Sequence, residues 1–386
     1  MSEWKEVNLK DICLDISYGY TASATQNEHG IKFLRITDIV NKPINWQQVP
    51  SCEITQKDIQ KYSLSKGDIV IARTGATTGH NYTFNSHYPS VFASYLIRYK
   101  IDQDLADPFY VGYSLQSDNW KGFVENIIGG SAQPGANAQQ FASYELPLPP
   151  LPEQQAIAEV LSSLDDKIDL LHRNNKTLEE MAETLFRQWF VEGAKEEWEE
   201  FPLDVLAEYL NGLALQKFPA EKGQPTIPAI KIREMNQGIT DSTDRVSTNI
   251  PEKYLVHNGD ILFSWSGSLD VIIWSHGTGA LNQHLFKVIP INLPKWLVYF
   301  ATRLFLPDFR DIASDKATTM GHIQRHHLSD AKIKLPDFKY IPKLDKIIDP
   351  IFKKMLQSKE QINMLRSLRD ALLPKLMSGQ VRVGNN

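Results

Sequence analysis

Two stretches of the chain place apolar residues at alternating four- and three-residue steps. In the first, Leu164, Ile168, Leu171, Asn175, Leu178, Ala182, Leu185 and Trp189 fall on that spacing. It predicts a long amphipathic helix with a coiled-coil seam and one polar seam position, Asn175. Pro152 followed by Glu153 suits its first turn. In the second, Ile351, Met355, Ile362, Leu365, Leu372 and Leu376 repeat the spacing, with Ser358 and Arg369 interrupting it. That helix is expected to open near Pro342 and stop near Gly379. Elsewhere the period shortens to two. Alternating runs rich in β-branched and aromatic residues at 68–72, 94–99, 260–265 and 284–289 read as strands, punctuated by Gly, Asn and Pro. Residues 107–116 and 293–304 read as helices. The class is α+β: two mixed segments, each followed by a long helix.

The pattern is also duplicated. Trp4-Lys5-Glu6 with Leu9 recurs as Trp198-Glu199-Glu200 with Leu203. Lys66-Gly67-Asp68-Ile69-Val70, leading to Gly75, recurs as Asn258-Gly259-Asp260-Ile261-Leu262, leading to Gly267. The run from Ile31 to Ile36 resembles that from Ala229 to Glu234, and Leu146-Pro147-Leu148-Pro149 is echoed by Ile333-Lys334-Leu335-Pro336. Such an ordered series marks a repeat. The expected divisions are 1–150 and 196–338 for the mixed domains, and 151–195 and 339–386 for the helical regions.

Charge separates the two helices. Residues 151–200 hold 5 Lys+Arg against 13 Asp+Glu, whereas residues 339–386 hold 10 against 4. An acidic and a basic amphipathic helix favour each other over self-pairing. If they pair antiparallel, the halves are related by an approximate two-fold axis, and the coiled coil holds two unlike heads apart.

The 386 residues are 42% hydrophobic and 23% charged, a globular composition, with a formal net charge of −5 that disfavours coating nucleic acid by charge alone. No apolar run is long enough to span a bilayer, and the N-terminus lacks the pattern of a secretory signal. Cys13 and Cys52 form neither a disulfide framework nor a CxxC pair. A cytoplasmic location is expected.

Catalytic motifs are not found. There is no GxxxxGK[ST] phosphate loop, no HExxH and no GxSxG elbow. Gly277-Thr278-Gly279 lacks a third glycine. His322 and His326 have helical ligand spacing but no evident third ligand or glutamate base. Pro149-Pro150 is not preceded by the Asn or Asp of an amino-methyltransferase. Pro307-Asp308 with Asp337-Phe338-Lys339 is too loose to be a nuclease motif. A non-enzyme without cofactor or metal is expected.

The run from Leu146 to Ile157, Leu-Pro-Leu-Pro-Pro-Leu-Pro-Glu-Gln-Gln-Ala-Ile, closely resembles the entry to the conserved helix in specificity subunits of type I restriction–modification systems. Phe33 to Ile39, Lys66 to Gly75 and the ending Leu372 to Gly379 also resemble that family, so the likeness covers nearly the whole chain. The second copy departs from it: Leu335-Pro336-Asp337-Phe338 lacks the double proline and the Glu-Gln. The resemblance implies two target recognition domains, each reading one half of a split site in double-stranded DNA. It further implies that the helices act as a ruler, and that two methyltransferase subunits and then motor–nuclease subunits dock on the chain. Three other readings stay open: a coiled-coil structural adaptor whose heads bind protein, an inactive regulatory variant of the family, and an enzyme.

Base reading needs side chains that reach groove edges, and loops at strand ends supply them. The candidates in the first domain are Arg73, Thr74, Thr77, Thr78 and His80, then Ser131, Gln133 and Asn137. In the second they are Ser264, Ser266 and Ser268, then Lys316, Thr318, Thr319 and His322. Arg35 and Arg233 are read as one repeated position, suited either to a phosphate contact or to an ion pair with Asp38 or Glu234. Each loop Ser, Thr or Asn has the alternative role of capping a turn. Trp189 and Phe190 are read as helix packing.

Overall fold

Each central strand of the molecule buries both of its faces. The computed structural model describes residues 4–26, 30–40, 43–129, 135–315 and 321–383. They form two units, residues 1–169 with 365–386, and residues 170–364.

In unit 1 an antiparallel sheet orders the strands Cys13–Tyr18, Leu96–Ile101, Ile69–Ala72 and Asn81–Thr83. Side chains alternate across a strand, so Ile69 and Ile71 face a core containing Tyr110, Val111 and Trp120. Those three come from the helices Pro108–Ser114 and Asp118–Ile128. Val70 and Ala72 point the other way, toward Leu34 and Phe92. These belong to a second sheet, in which Lys32–Leu34 runs parallel to Ser90–Phe92. This two-sided burial explains why 69–72 is continuously apolar. Lys5–Asn8 pairs with Glu145–Leu148 and brings the two ends of the domain together.

Unit 2 repeats the plan. Its antiparallel sheet orders Ala207–Asn211, Leu285–Pro290, Ile261–Ser264 and Val271–Ile273. Thr226–Ile230 runs parallel to Gly279–Leu281 in the second sheet, and Glu199–Pro202 pairs with Lys332–Leu335. Gly67 and Gly259 open the two central strands at φ of 92° and 85°, which L side chains rarely adopt. The strands expected near 68–72, 94–99, 260–265 and 284–289 and the helices near 107–116 and 293–304 are all present.

One match of the repeat needs correction. Leu34 accepts a hydrogen bond from the N–H of Ala93, and Ile230 accepts one from Asn282. The next residues are therefore equivalent: Arg35 corresponds to Lys231, not to Arg233. Arg35 N–H donates to Asp38 at 2.9 Å and Lys231 N–H to Glu234 at 3.2 Å. The sequence match slipped by two residues, which preserves the strand face and so leaves the hydrophobic pattern intact.

The long helices are Leu151–Arg187 and Ile341–Met377, each of 37 residues, or about 55 Å at 1.5 Å per residue. The first continues into one wider π-type turn, Gln188–Glu192. Every expected seam residue is buried or half-buried: Ile168, Leu171, Asn175, Met355, Ile362 and Leu376 are buried, and Leu164, Leu178, Leu185, Trp189, Ile351, Leu365 and Leu372 partly so. Within unit 1 the helices run antiparallel. Asp165 pairs with Arg369 at 2.8 Å, and Glu153 meets Arg382 at 2.7 Å, past the end of the second helix. Ser358 is buried, while Arg369 breaks the apolar spacing with this ion pair. Within unit 2 the helices also enter the core of the domain. Phe186 lies 5.8 Å from Phe300 and Phe352 5.7 Å from Tyr299, between ring centroids. Phe190 is buried beside Trp296.

Candidate nucleic-acid interface

The two units share one local framework at the end of the central strand. In unit 1 the chain leaves Ile69–Ala72 at Arg73. Its N–H donates to Tyr95 O at 3.0 Å, and its carbonyl accepts from Ala136 N–H at 3.0 Å. Thr74 forms an isolated bridge with Gly135, and Gly75 follows at φ 80°. In unit 2 the equivalent residue is Trp265. Its N–H donates to His284 O at 3.4 Å, and its carbonyl accepts from Ile323 N–H at 3.0 Å. Ser266 bridges His322, and Gly267 follows at φ 68°. Beside this point the outer strand passes so close that Gly19 and Gly212 have no room for a β-carbon. One built there would lie 2.2 Å from Ala93 O and from Asn282 O, respectively.

The side chains on this shared framework differ. In unit 1 the Arg73 guanidinium lies 5.1 Å from the centre of the Tyr18 ring. The Tyr18 hydroxyl is itself fixed by the Ala138 N–H at 3.1 Å. Tyr18 and Tyr95 are large exposed rings at this site, 42% and 58% exposed. In unit 2 Asn211 replaces Tyr18, and the Trp265 indole N–H donates to its Oδ1 at 3.1 Å. His284 replaces Tyr95, and its Nδ1 lies 3.1 Å from Ser266 Oγ. His322 replaces Gly135 and meets the Trp265 ring edge-on at 6.3 Å. Arg325, where unit 1 has Ala138, lies over Phe286 at 5.8 Å.

The structure sorts the loop candidates. Arg73, Thr74 and the Asn137 turn come together in unit 1, as do Ser266 and His322 in unit 2. Others shape the backbone. Thr78 is buried and its Oγ1 donates to Gly75 O at 2.7 Å, while His80 N–H closes the turn on Thr77 O. Asn137 caps the helix Ala138–Ala142 by accepting from the N–H groups of Gln139 and Gln140. Ser264 is buried, donates to Ser268 O and accepts from Asp270 N–H. Arg35 makes a two-pronged pair with Asp38 at 3.0 Å, and Arg233 pairs with Glu234 at 2.8 Å. Ser131, Gln133, Lys316, Thr318 and Thr319 lie outside the described residues. His322 sits on the bridge before the helix Arg325–Asp330, so it is not one helical turn from His326. Tyr18 and Asn211 escape a search of loops because they are the last residues of strands, Tyr95 and His284 because they sit in tight turns inside runs read as strands, and Arg325 because it opens a helix.

Similarity to known proteins follows the same duplication. A sequence-family model described as the type I restriction modification DNA specificity domain matches residues 1–180 and again 195–364. The chain is 25% identical to the type I restriction enzyme MjaIX specificity subunit of Methanocaldococcus jannaschii, over 99% of this chain and 94% of that one. It is 23% identical to the HindI specificity subunit of Haemophilus influenzae, over 99% of this chain and all of that one. The crystal structure of a type I restriction–modification S subunit from M. genitalium shares the fold, with a TM-score of 0.61 at 15% identity, over 97% of this chain and 96% of that one.

Proposed function

Because the chain belongs to the type I restriction–modification DNA specificity family, we propose that it is the DNA-reading subunit of such a complex. Each of its two domains reads one half of a split, asymmetric sequence. The observation that carries this reading is the shared framework around Arg73 and Trp265. The same backbone hydrogen bonds hold two unrelated sets of side chains, as two readers of different half-sites require.

The residues that reach the site are an arginine, imidazoles, amides and aromatic rings. They can recognise base edges and phosphates. We assign the chain no catalytic step: methyl transfer and cleavage belong to the partners. Two methyltransferase subunits, one for each half of the repeat, are the natural complement of a duplicated chain, with motor–nuclease subunits joining them in the full complex. The long helices set the number of unread base pairs between the half-sites and provide the methyltransferase docking surface. A net charge of −5 supports weak DNA binding by the chain alone, since phosphate neutralisation supplies much of such affinity. The expected cytoplasmic location agrees with a DNA partner.

The test is to express the chain with the methyltransferase encoded beside it in a host free of adenine methylation, and then to map modified adenines genome-wide. A motif of two defined halves with a fixed gap is expected. A stable complex that leaves the genome unmodified would favour an adaptor or an inactive variant instead.

A further inference from the structure

We propose that Arg73 reads a guanine in the half-site of unit 1, and that position 73/265 is the specificity-determining position of each domain. This rests on the DNA-reading role proposed above and names the residue that performs it.

The fixed backbone at this position comes first. Residue 73 is held from both sides, by Tyr95 O and Ala136 N–H, and residue 265 by His284 O and Ile323 N–H. The direction of the side chain is therefore set by the fold, while its identity is not, since Arg and Trp both occur there. A position with a fixed direction and a free choice of side chain is what a reader needs to change specificity without refolding.

The state of the arginine comes second. Its guanidinium lies against the Tyr18 ring, and Nε is buried with no hydrogen-bond partner. No ion pair involving Arg73 is found among the described residues. By contrast, Arg35, Arg98, Arg303, Arg369 and Arg382 all pair with carboxylates. With the guanidinium held beside the ring and Nε buried, the Nη1–Nη2 edge is the one that can bond a partner. That edge matches O6 and N7 of guanine in the major groove.

The contrast with unit 2 comes third. Trp265 has no N–H edge to offer, since its one indole N–H already bonds Asn211. The second half-site is therefore read at this point by shape and apolar contact, without the two-bond guanine signature.

The test uses the chain assembled with its methyltransferase, with modification maps of the wild type, Arg73→Gln, Arg73→Lys and Trp265→Phe. Arg73→Gln should relax one G·C position in one half-site by about tenfold or more, leaving the other half and the gap unchanged. Arg73→Lys keeps the charge but loses the two-pronged geometry, and should relax the same position. Trp265→Phe removes the bond to Asn211 and should alter the other half alone. Thermal melts separate folding failures from reading failures. Where modification is too low to map, fluorescence anisotropy on four duplexes differing at that base pair replaces it. The inference is overturned if the Arg73 variants keep the guanine preference, or weaken all sites equally without a change of base, as loss of a phosphate contact would. It is also overturned if Arg73→Gln fails to fold while a folded Arg73→Lys reads as wild type. A wild-type complex with no split motif would instead overturn the DNA-reading role itself.

Discussion

Gly19 and Gly212 show how one residue fixes the shape of the proposed reading site. Each lets the outer strand touch a carbonyl of the crossing segment, and a β-carbon there would sit 2.2 Å from that oxygen. The obstacle is backbone, which cannot rotate away. Gly19→Ala and Gly212→Ala should each cost about 2 kcal/mol, within the range for overpacked sites. Gly122, in the helix Asp118–Ile128, has nothing within 4 Å of the same point. Gly122→Ala should stabilise by about 0.5–1 kcal/mol through helix propensity. Urea titrations followed by circular dichroism measure all three. Equal effects at Gly19 and Gly122 would refute the close-approach argument. These glycines carry no sequence motif, because the atoms they approach lie about 70 residues away. For the same reason the site was only half legible in sequence. Arg73, Ser266 and His322 stand in glycine-marked loops. Tyr18 and Asn211 are terminal strand residues whose partners, Arg73 and Trp265, come from across the sheet.

At the scale of elements, the helices were the most legible feature, because one face of a long helix repeats its chemistry many times. Each residue of the seam read from spacing is buried or half-buried. What spacing could not show is that the same helices also enter a domain core, as Phe186 and Phe352 do. Nor could it fix the repeat at 31–36, where a two-residue slip leaves the inward and outward faces unchanged. Asn175 is the polar exception in the seam. It is buried, and its Oδ1 has no hydrogen-bond partner among the described residues. Such a group costs roughly 1–3 kcal/mol, and a single polar seam residue typically exchanges stability for a defined register. Asn175→Leu should therefore raise the stability of the chain by about 1 kcal/mol, read as an increase in thermal midpoint. A fall in the midpoint would mean that the Asn175 amide makes a bond worth more than the burial of leucine.

For the whole molecule, the duplication and the helices together predict how the target can be edited. Under the proposed function, the letters of the half-sites belong to side chains on the two frameworks, and the gap belongs to the length of the helices. These are separable. Seven residues inserted in each helix, between Asp169 and Leu170 and between Met364 and Leu365, preserve the seam because a heptad returns every residue to its face. Each insertion adds about 10 Å of helix, or about three base pairs of B-form DNA. The modified motif should keep both half-sites and gain about three unread positions between them. Inserting two residues instead would turn the following seam about 200° away from its face, and should cost assembly and not lengthen the gap. Modification mapping of the two insertions against the wild type decides the matter. If the heptad insertion changes the letters of either half, the helices take part in reading, and the division between ruler and reader fails.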